Sequence, residues 1–191
     1  MRALWFGEYT DAQTFANQAK TYFQERRIEW RVIFSLRLQG EAALGLSDLT
    51  TADERLHHTL AHARSVNLAE EELPALIGLA EIRRRQDDLK SAHELLDDVW
   101  EPCDRGPFKL YHADAYNVLA QIERDAENRE AAVKAATEAY RLAWCDGPPF
   151  AYHWGLQKAK AHLAALGVPE PMLPPLDESK YEPMPQVEIE Q

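Results

Sequence analysis

Apolar residues recur along this chain at intervals of three and four, the spacing that places them on one face of an α-helix. Short polar turns separate these amphipathic segments. The pattern predicts an all-α protein whose helices cover residues 11–26, 28–46, 50–66, 70–86, 89–101, 110–126, 129–144 and 150–166.

The same pattern repeats every 40 residues, and internal periodicity of this length is typical of solenoids. Large residues align at Leu36, Leu76 and Tyr116, and small residues align at Gly40, Ala80, Ala120, Ala52, Ala92 and Ala132. Each unit is therefore a helix, a polar turn (Ser47-Asp48, Asp87-Asp88 or Glu127-Asn128) and a second helix. Because both helices carry a small residue, they can approach to about 8–10 Å.

The aligned columns resemble the tetratricopeptide repeat. They read Leu36-x3-Gly40-x11-Ala52-x3-Leu56, Leu76-x3-Ala80-x11-Ala92-x3-Leu96 and Tyr116-x3-Ala120-x11-Ala132-x3-Ala136. The period exceeds the usual length of about 34 residues, and the early Trp of the family is absent. The closer resemblance is to the long-period variant in the C-terminal regions of bacterial STAND-type signalling ATPases and regulators. It implies a right-handed α-solenoid of antiparallel helix pairs.

The repeat register divides the chain into three parts. Residues 1–27 hold a partial N-terminal repeat, in which 11–25 match a second helix without its first, as expected of a piece of a longer array. We expect Trp5 and Phe6 to cover the apolar stripe of that helix. Residues 28–167 hold three helix pairs and a capping helix. Residues 168–191 form a Pro-rich acidic tail, which we expect to dock on the final helices with Leu173, Leu176 and Tyr181 partly buried.

Charge and composition argue against several classes of function. The 191 residues include 32 acidic and 21 basic side chains, for a net charge of −11, which argues against a general nucleic-acid or anionic-membrane binder. The start lacks a secretory signal pattern, and no apolar stretch approaches the roughly 18 residues of a membrane span. Two distant cysteines do not form a disulfide framework. We expect a cytoplasmic protein without a cofactor, since the phosphate-binding glycine motifs are absent.

Two sets of residues raise the alternative of an enzyme. His58 and His62 have the i, i+4 spacing of metal ligands but lack the Glu of a zincin motif, so a solvated helix face and no metal is the favoured interpretation. Cys145 and His153 contain the groups of a thiol nucleophile and base, separated by a Pro-Pro loop. Their surroundings resemble no cysteine hydrolase motif, so we predict no catalytic residue.

The tetratricopeptide resemblance implies a concave groove lined by the first helix of each unit. Its groove positions fall on Arg37, Glu41, Leu44, Ile77, Glu81, Arg84, Asn117, Gln121 and Arg124, with Gln157 and Trp154 added by the cap. The predicted function is protein–protein recognition, in which this groove holds a peptide or partner protein, with an acidic ligand among the options. The alternatives are a solvated groove with the ligand elsewhere, a self-associating scaffold, and the enzyme above. The oligomeric state stays open.

Overall fold

The computed structural model describes residues 1–177 and Ser179, and this part of the chain is all-helical. Its helices are α1 (Arg2–Trp5), α2 (Tyr9–Glu25), α3 (Glu29–Gly45), α4 (Leu49–Ser65), α5 (Ala69–Arg85), α6 (Leu89–Arg105), α7 (Lys109–Asp125), α8 (Arg129–Trp144) and α9 (His153–Ala165). Consecutive helices pack against each other, which confirms the all-α, repeat-like solenoid.

Two elements differ from the prediction. Helix α6 continues four residues past residue 101, through Pro102, although a proline usually ends a helix at the residue before it. The extra turn places Cys103, which is 5% exposed, in the core between α5, α6 and α7. Helix α1 was not predicted, and it occupies the repeat register of the last turn of α3, α5 and α7.

Helix ends follow a period of 20 residues, half that of the repeat. A residue with positive φ follows nearly every helix, at Gly7, Arg27, Ser47, Asn67, Asp87, Glu127, Gly147 and Gly167. Position 107 interrupts the series because it holds proline, whose ring fixes φ near −65°. After most of these turns an N–H bonds a carbonyl five residues back, such as Asp88 N–H to Arg83 O at 2.9 Å, which ends the helix as a Schellman motif.

Within each unit, the residue that closes the first helix also caps the second. The side chains of Asp48, Asp88 and Asn128 accept hydrogen bonds from the N–H groups of Thr51, Ser91 and Ala131. This side-chain bond satisfies one of the free donors at a helix start. The predicted polar turns are therefore confirmed.

The small-residue columns lie where the two helices of a unit meet. Ala52, Ala80, Ala92, Ala120 and Ala132 are all at most 2% exposed. A Cβ added to Gly40 would lie 2.7 Å from Leu56 Cδ2, which is too close for a real contact. The predicted close approach of the helix pairs is confirmed.

The helices form two layers of unequal packing. The first helices contact one another (α3 with α5, α5 with α7, α7 with α9), whereas neighbouring second helices of the described chain lack comparable contacts. Because the layer of first helices is the more tightly packed, it lies on the inside of the curve. The apolar core is correspondingly a series of clusters between successive helices, as nearest-neighbour stacking requires.

The first part of the tail lies against α8 and α9. Trp144 Nε1–H donates to Pro174 O at 2.9 Å, and Glu170 accepts from Tyr140 at 3.1 Å and from Lys160 at 2.9 Å. Leu173 packs on the cluster formed by α7, α8 and α9, and both Leu173 and Leu176 are half-buried. Tyr181 lies outside the described residues.

Candidate functional site

The predicted groove residues all lie on the layer of first helices, on a surface we call the inner face (the inward positions of α3, α5, α7 and α9). Arg37, Ile77, Glu81 and Asn117 are buried, Glu41, Arg84 and Gln121 are half-buried, and Arg124 and Gln157 are exposed. Several of them therefore stabilise the fold and are not free to contact a ligand.

Arg37 is held between two carboxylates at the α3–α5 contact. Its Nε donates to Glu71 at 2.6 Å and its Nη1 donates to Glu41. Burial lowers the pKa of Arg37, but the charges of Glu41 and Glu71 and the bonds to them outweigh burial and raise it. The sequence interpretation missed Glu71, since an acidic residue at a helix start has a sufficient explanation in the helix dipole.

The C-terminal ends of the first helices are joined by a second set of ion pairs. Arg84 binds Glu81 in bidentate fashion at 2.7 and 2.9 Å and also contacts Asp125 of α7. Arg85 donates to Glu81 at 2.6 Å and to Leu44 O of α3 at 3.0 Å. Two of the three arginines at predicted groove positions, Arg37 and Arg84, are thus paired with carboxylates, whereas Arg124 is exposed.

At the α7–α9 contact, two polar side chains lack part of their hydrogen bonds. Tyr152 donates its hydroxyl to Asp114 Oδ2 at 2.9 Å, and Asn117 Nδ2 donates to Gly155 O at 3.1 Å. Asp114 Oδ1 and Asn117 Oδ1 are buried without a donor among the described residues. Burial raises the pKa of Asp114, and Lys158 and Tyr152 offset this only in part. Burial and the adjacent Asp114 also raise the pKa of Tyr152.

The inner face is narrow enough for its two ends to interact. Glu41 of α3 acts electrostatically on Asp114 and on Tyr152, two repeats or more away. At the rim, the Trp154 ring of α9 stacks on Trp5 with centroids 6.2 Å apart and meets Phe6 edge-on at 5.6 Å. A contact therefore joins the first and last helices of the described chain.

This contact corrects the expected role of the N-terminal aromatic residues. Trp5 and Phe6 remain 47% and 61% exposed and pack on Trp154, while Ala3 and Leu4 are the residues that contact Ala12 of α2. Helix α2 consequently keeps exposed aromatic side chains. The alignment places α1 as the last turn of a first helix, and such a turn covers only the start of its partner.

The basic end of the inner face surrounds His162. Burial, followed by Arg124, Lys158 and Arg84, lowers the pKa of this imidazole, and its Nε2 is buried without a partner in the described chain. Beside it, a shallow cavity of about 290 Å³ is lined by Arg124, Glu127, Arg129, Ala165 and Leu166. Arg124, Arg129 and Lys158 are exposed basic side chains of this region that a ligand can reach.

The alternative catalytic residues have other contacts. The Cys145 thiol donates to Leu142 O at 3.5 Å, whereas the exposed His153 ring packs edge-on against Trp154. His57 bonds Asp53 O at 2.9 Å, and His58 and His62 are exposed on α4. The described residues contain no group of three or more His, Cys, Asp or Glu side chains arranged for a metal ion.

Comparisons with known proteins do not identify a function for this chain. The chain matches no family model, no curated protein sequence and no solved structure. Among the helices described, none combines the length and the apolar character needed to cross a bilayer.

Proposed function

We propose that this protein is a recognition module that binds an extended peptide segment of a partner protein along the inner face. The observation that carries the proposal is a row of polar side chains on α7 and α9. Arg124, Gln157 and Lys158 of this row are exposed, and Asp114 and Gln121 beside them are half-buried. An extended peptide offers donors and acceptors at regular intervals and can bond such a row.

The resemblance to tetratricopeptide repeats supports the same proposal. In that family the first helices line the ligand groove, and here α3, α5, α7 and α9 pack against one another as one layer. By the same resemblance, we propose that the module acts in the cytoplasm within a bacterial signalling or regulatory protein, and that it is not an enzyme.

Peptide selection on the full chain tests the proposal. Selected peptides should lose roughly tenfold in affinity for the double variant Arg124→Ala, Gln157→Ala, because both side chains are exposed on the inner face. Arg84 is unsuitable for this test, since it stabilises the fold through Glu81 and Asp125.

The matched control is Lys90→Ala, which removes an 87% exposed side chain from the second helix α6. The free energy of unfolding of all variants should stay within about 0.5 kcal/mol of that of the parent, as is usual for surface changes. Failure to select any peptide, or equal affinity of the double variant and the control, would contradict the proposal.

A separate observation favours self-association as the second candidate. Phe15 and Tyr22 lie seven residues apart on one side of α2 and are 61% and 50% exposed, and Trp30 at the start of α3 is 51% exposed. Exposed aromatic groups of this kind are frequent at protein interfaces. Sedimentation equilibrium should show a dimer that Phe15→Ser abolishes and Thr14→Ser retains; a monomer at all concentrations would exclude it.

A further inference from the structure

The α7–α9 contact holds two buried oxygen atoms that lack donors in the described chain, Asp114 Oδ1 and Asn117 Oδ1. The two residues are three apart on α7 and so share one side of the helix. Asn117 is 1% exposed, and its Nδ2 bond to Gly155 O of α9 fixes the amide with Oδ1 as the free atom. Unpaired buried acceptors are costly and uncommon in native proteins, so this site calls for a donor.

The charges around the site favour a positively charged donor. The charge of Glu41 on α3 raises the pKa of Asp114, and the charge of Lys158 on α9 lowers it. Lys158 is exposed and forms no ion pair within 4 Å in the described chain. Arg37 of α3 is already bound by Glu41 and Glu71. The carboxylate of Asp114 is therefore left without a paired positive charge.

We propose that Asp114 binds the ammonium group of a lysine side chain presented by the peptide ligand, an assignment that rests on the proposed function. An ammonium group is compact and carries three donors, which suits two oxygen atoms at one helix contact. The two Oδ1 atoms are buried, whereas Asp114 as a whole is half-buried, so the ammonium group approaches the carboxylate from the exposed edge of this side chain. The ring of Tyr152 beside the carboxylate contacts the aliphatic stem of the lysine.

Titration with n-butylammonium chloride, which is a lysine side chain without its backbone, tests this site. Amide spectra of the full chain at about 0.15 M ionic strength should show saturable shifts in residues 111–118 and 152–158. The neutral butan-1-ol should produce none. The absence of saturable shifts with butylammonium, or equal shifts with the alcohol, would overturn the proposal.

Asp114→Asn keeps the shape of the side chain and an acceptor for Tyr152 but removes the charge. It should weaken butylammonium binding by roughly tenfold or more, while the matched variant Asp97→Asn, on the exposed side of α6, should bind like the parent. Equal binding by both variants would overturn the proposal. Titration with n-butylguanidinium separates lysine from arginine, and tighter binding of the guanidinium would overturn the lysine assignment.

Tyr152→Phe provides an independent variant if Asp114→Asn fails to fold. It removes the one side-chain hydrogen bond that Asp114 receives from the described residues, so butylammonium should bind several-fold more tightly. Weaker binding would contradict the site. If peptides bind the inner face but butylammonium does not bind, the lysine site is wrong and the proposed function stands. Butylammonium binding with no peptide ligand would instead contradict the proposed function.

Discussion

At the level of single residues, the inner face contains charges that stabilise the fold only as a set. Arg37 is 6% exposed and holds Glu71 and Glu41 together, so replacing it alone leaves an uncompensated buried carboxylate. R37M should lower the free energy of unfolding by about 3–5 kcal/mol, and adding E71L should recover a large part of that loss. Urea denaturation measures both effects. A single variant within 1 kcal/mol of the parent would show that this ion pair contributes little.

Asp114 should lower the stability of the folded protein at neutral pH, because burial disfavours the charged form of its carboxyl group. Burial raises the folded pKa above the unfolded value of about 3.9, so the cost of the charged carboxylate appears as the pH rises through the folded pKa. The melting temperature of D114N should therefore equal that of the parent near pH 3 and exceed it by about 2–4 °C at pH 7. Such a difference corresponds to roughly 1 kcal/mol in a chain of this size. A lower melting temperature at pH 7 would assign Asp114 a stabilising role.

Sequence reasoning could place these residues on the inner face but could not pair them. Arg37 and Asn117 follow from the 40-residue register, since equivalent positions of stacked repeats share a surface. The partner Glu71 lies 34 positions from Arg37, outside the register, and their contact depends on how neighbouring helices are rotated. The Tyr152 bond to Asp114 was missed for the same reason, since Tyr152 precedes α9 in a loop.

At the level of helices, stability depends on close approach within each pair. Ala92 is fully buried between α5, α6 and α7, so Ala92→Leu should destabilise by about 1–3 kcal/mol through overpacking. Ala61→Leu, on the exposed side of α4, provides the control and should melt like the parent. If thermal melts fail to distinguish the two variants, the assigned contact between the helices is wrong.

Helix bounds were largely predictable because the signals that set them are local. A polar turn and a capping Asp or Asn recur at fixed positions, and the helices follow. The prediction was incomplete where the bounds of a helix depend on tertiary contacts. The turn of α6 beyond Pro102 depends on the burial of Cys103, and α1 is too short to show a period.

At the level of the whole molecule, the segment after α9 completes the packing of the last repeat. Leu173 contacts the cluster of α7, α8 and α9, so Leu173→Asp should lower the melting temperature by about 2–4 °C. The adjacent Met172 is 99% exposed, and Met172→Asp should leave melting unchanged. Equal effects of the two changes would indicate that this segment contributes nothing specific.

The contact between α1 and α9 is a whole-molecule property that the repeat pattern does not contain. A sequence period describes how neighbouring helices stack, whereas curvature accumulates from small rotations at every step. The approach of Trp5 to Trp154 across the array is therefore visible only in the structure. The same curvature brings Glu41 within electrostatic reach of Asp114.

Recognition of a peptide by the inner face is the central claim, and an amide chemical-shift map of the full chain with a selected peptide tests it most directly. We predict saturable shifts concentrated on α3, α5, α7 and α9, strongest near residues 114–124 and 152–162, with α4 and α6 nearly unchanged. Shifts confined to α2, to the second helices or to residues 168–177 would contradict the claim.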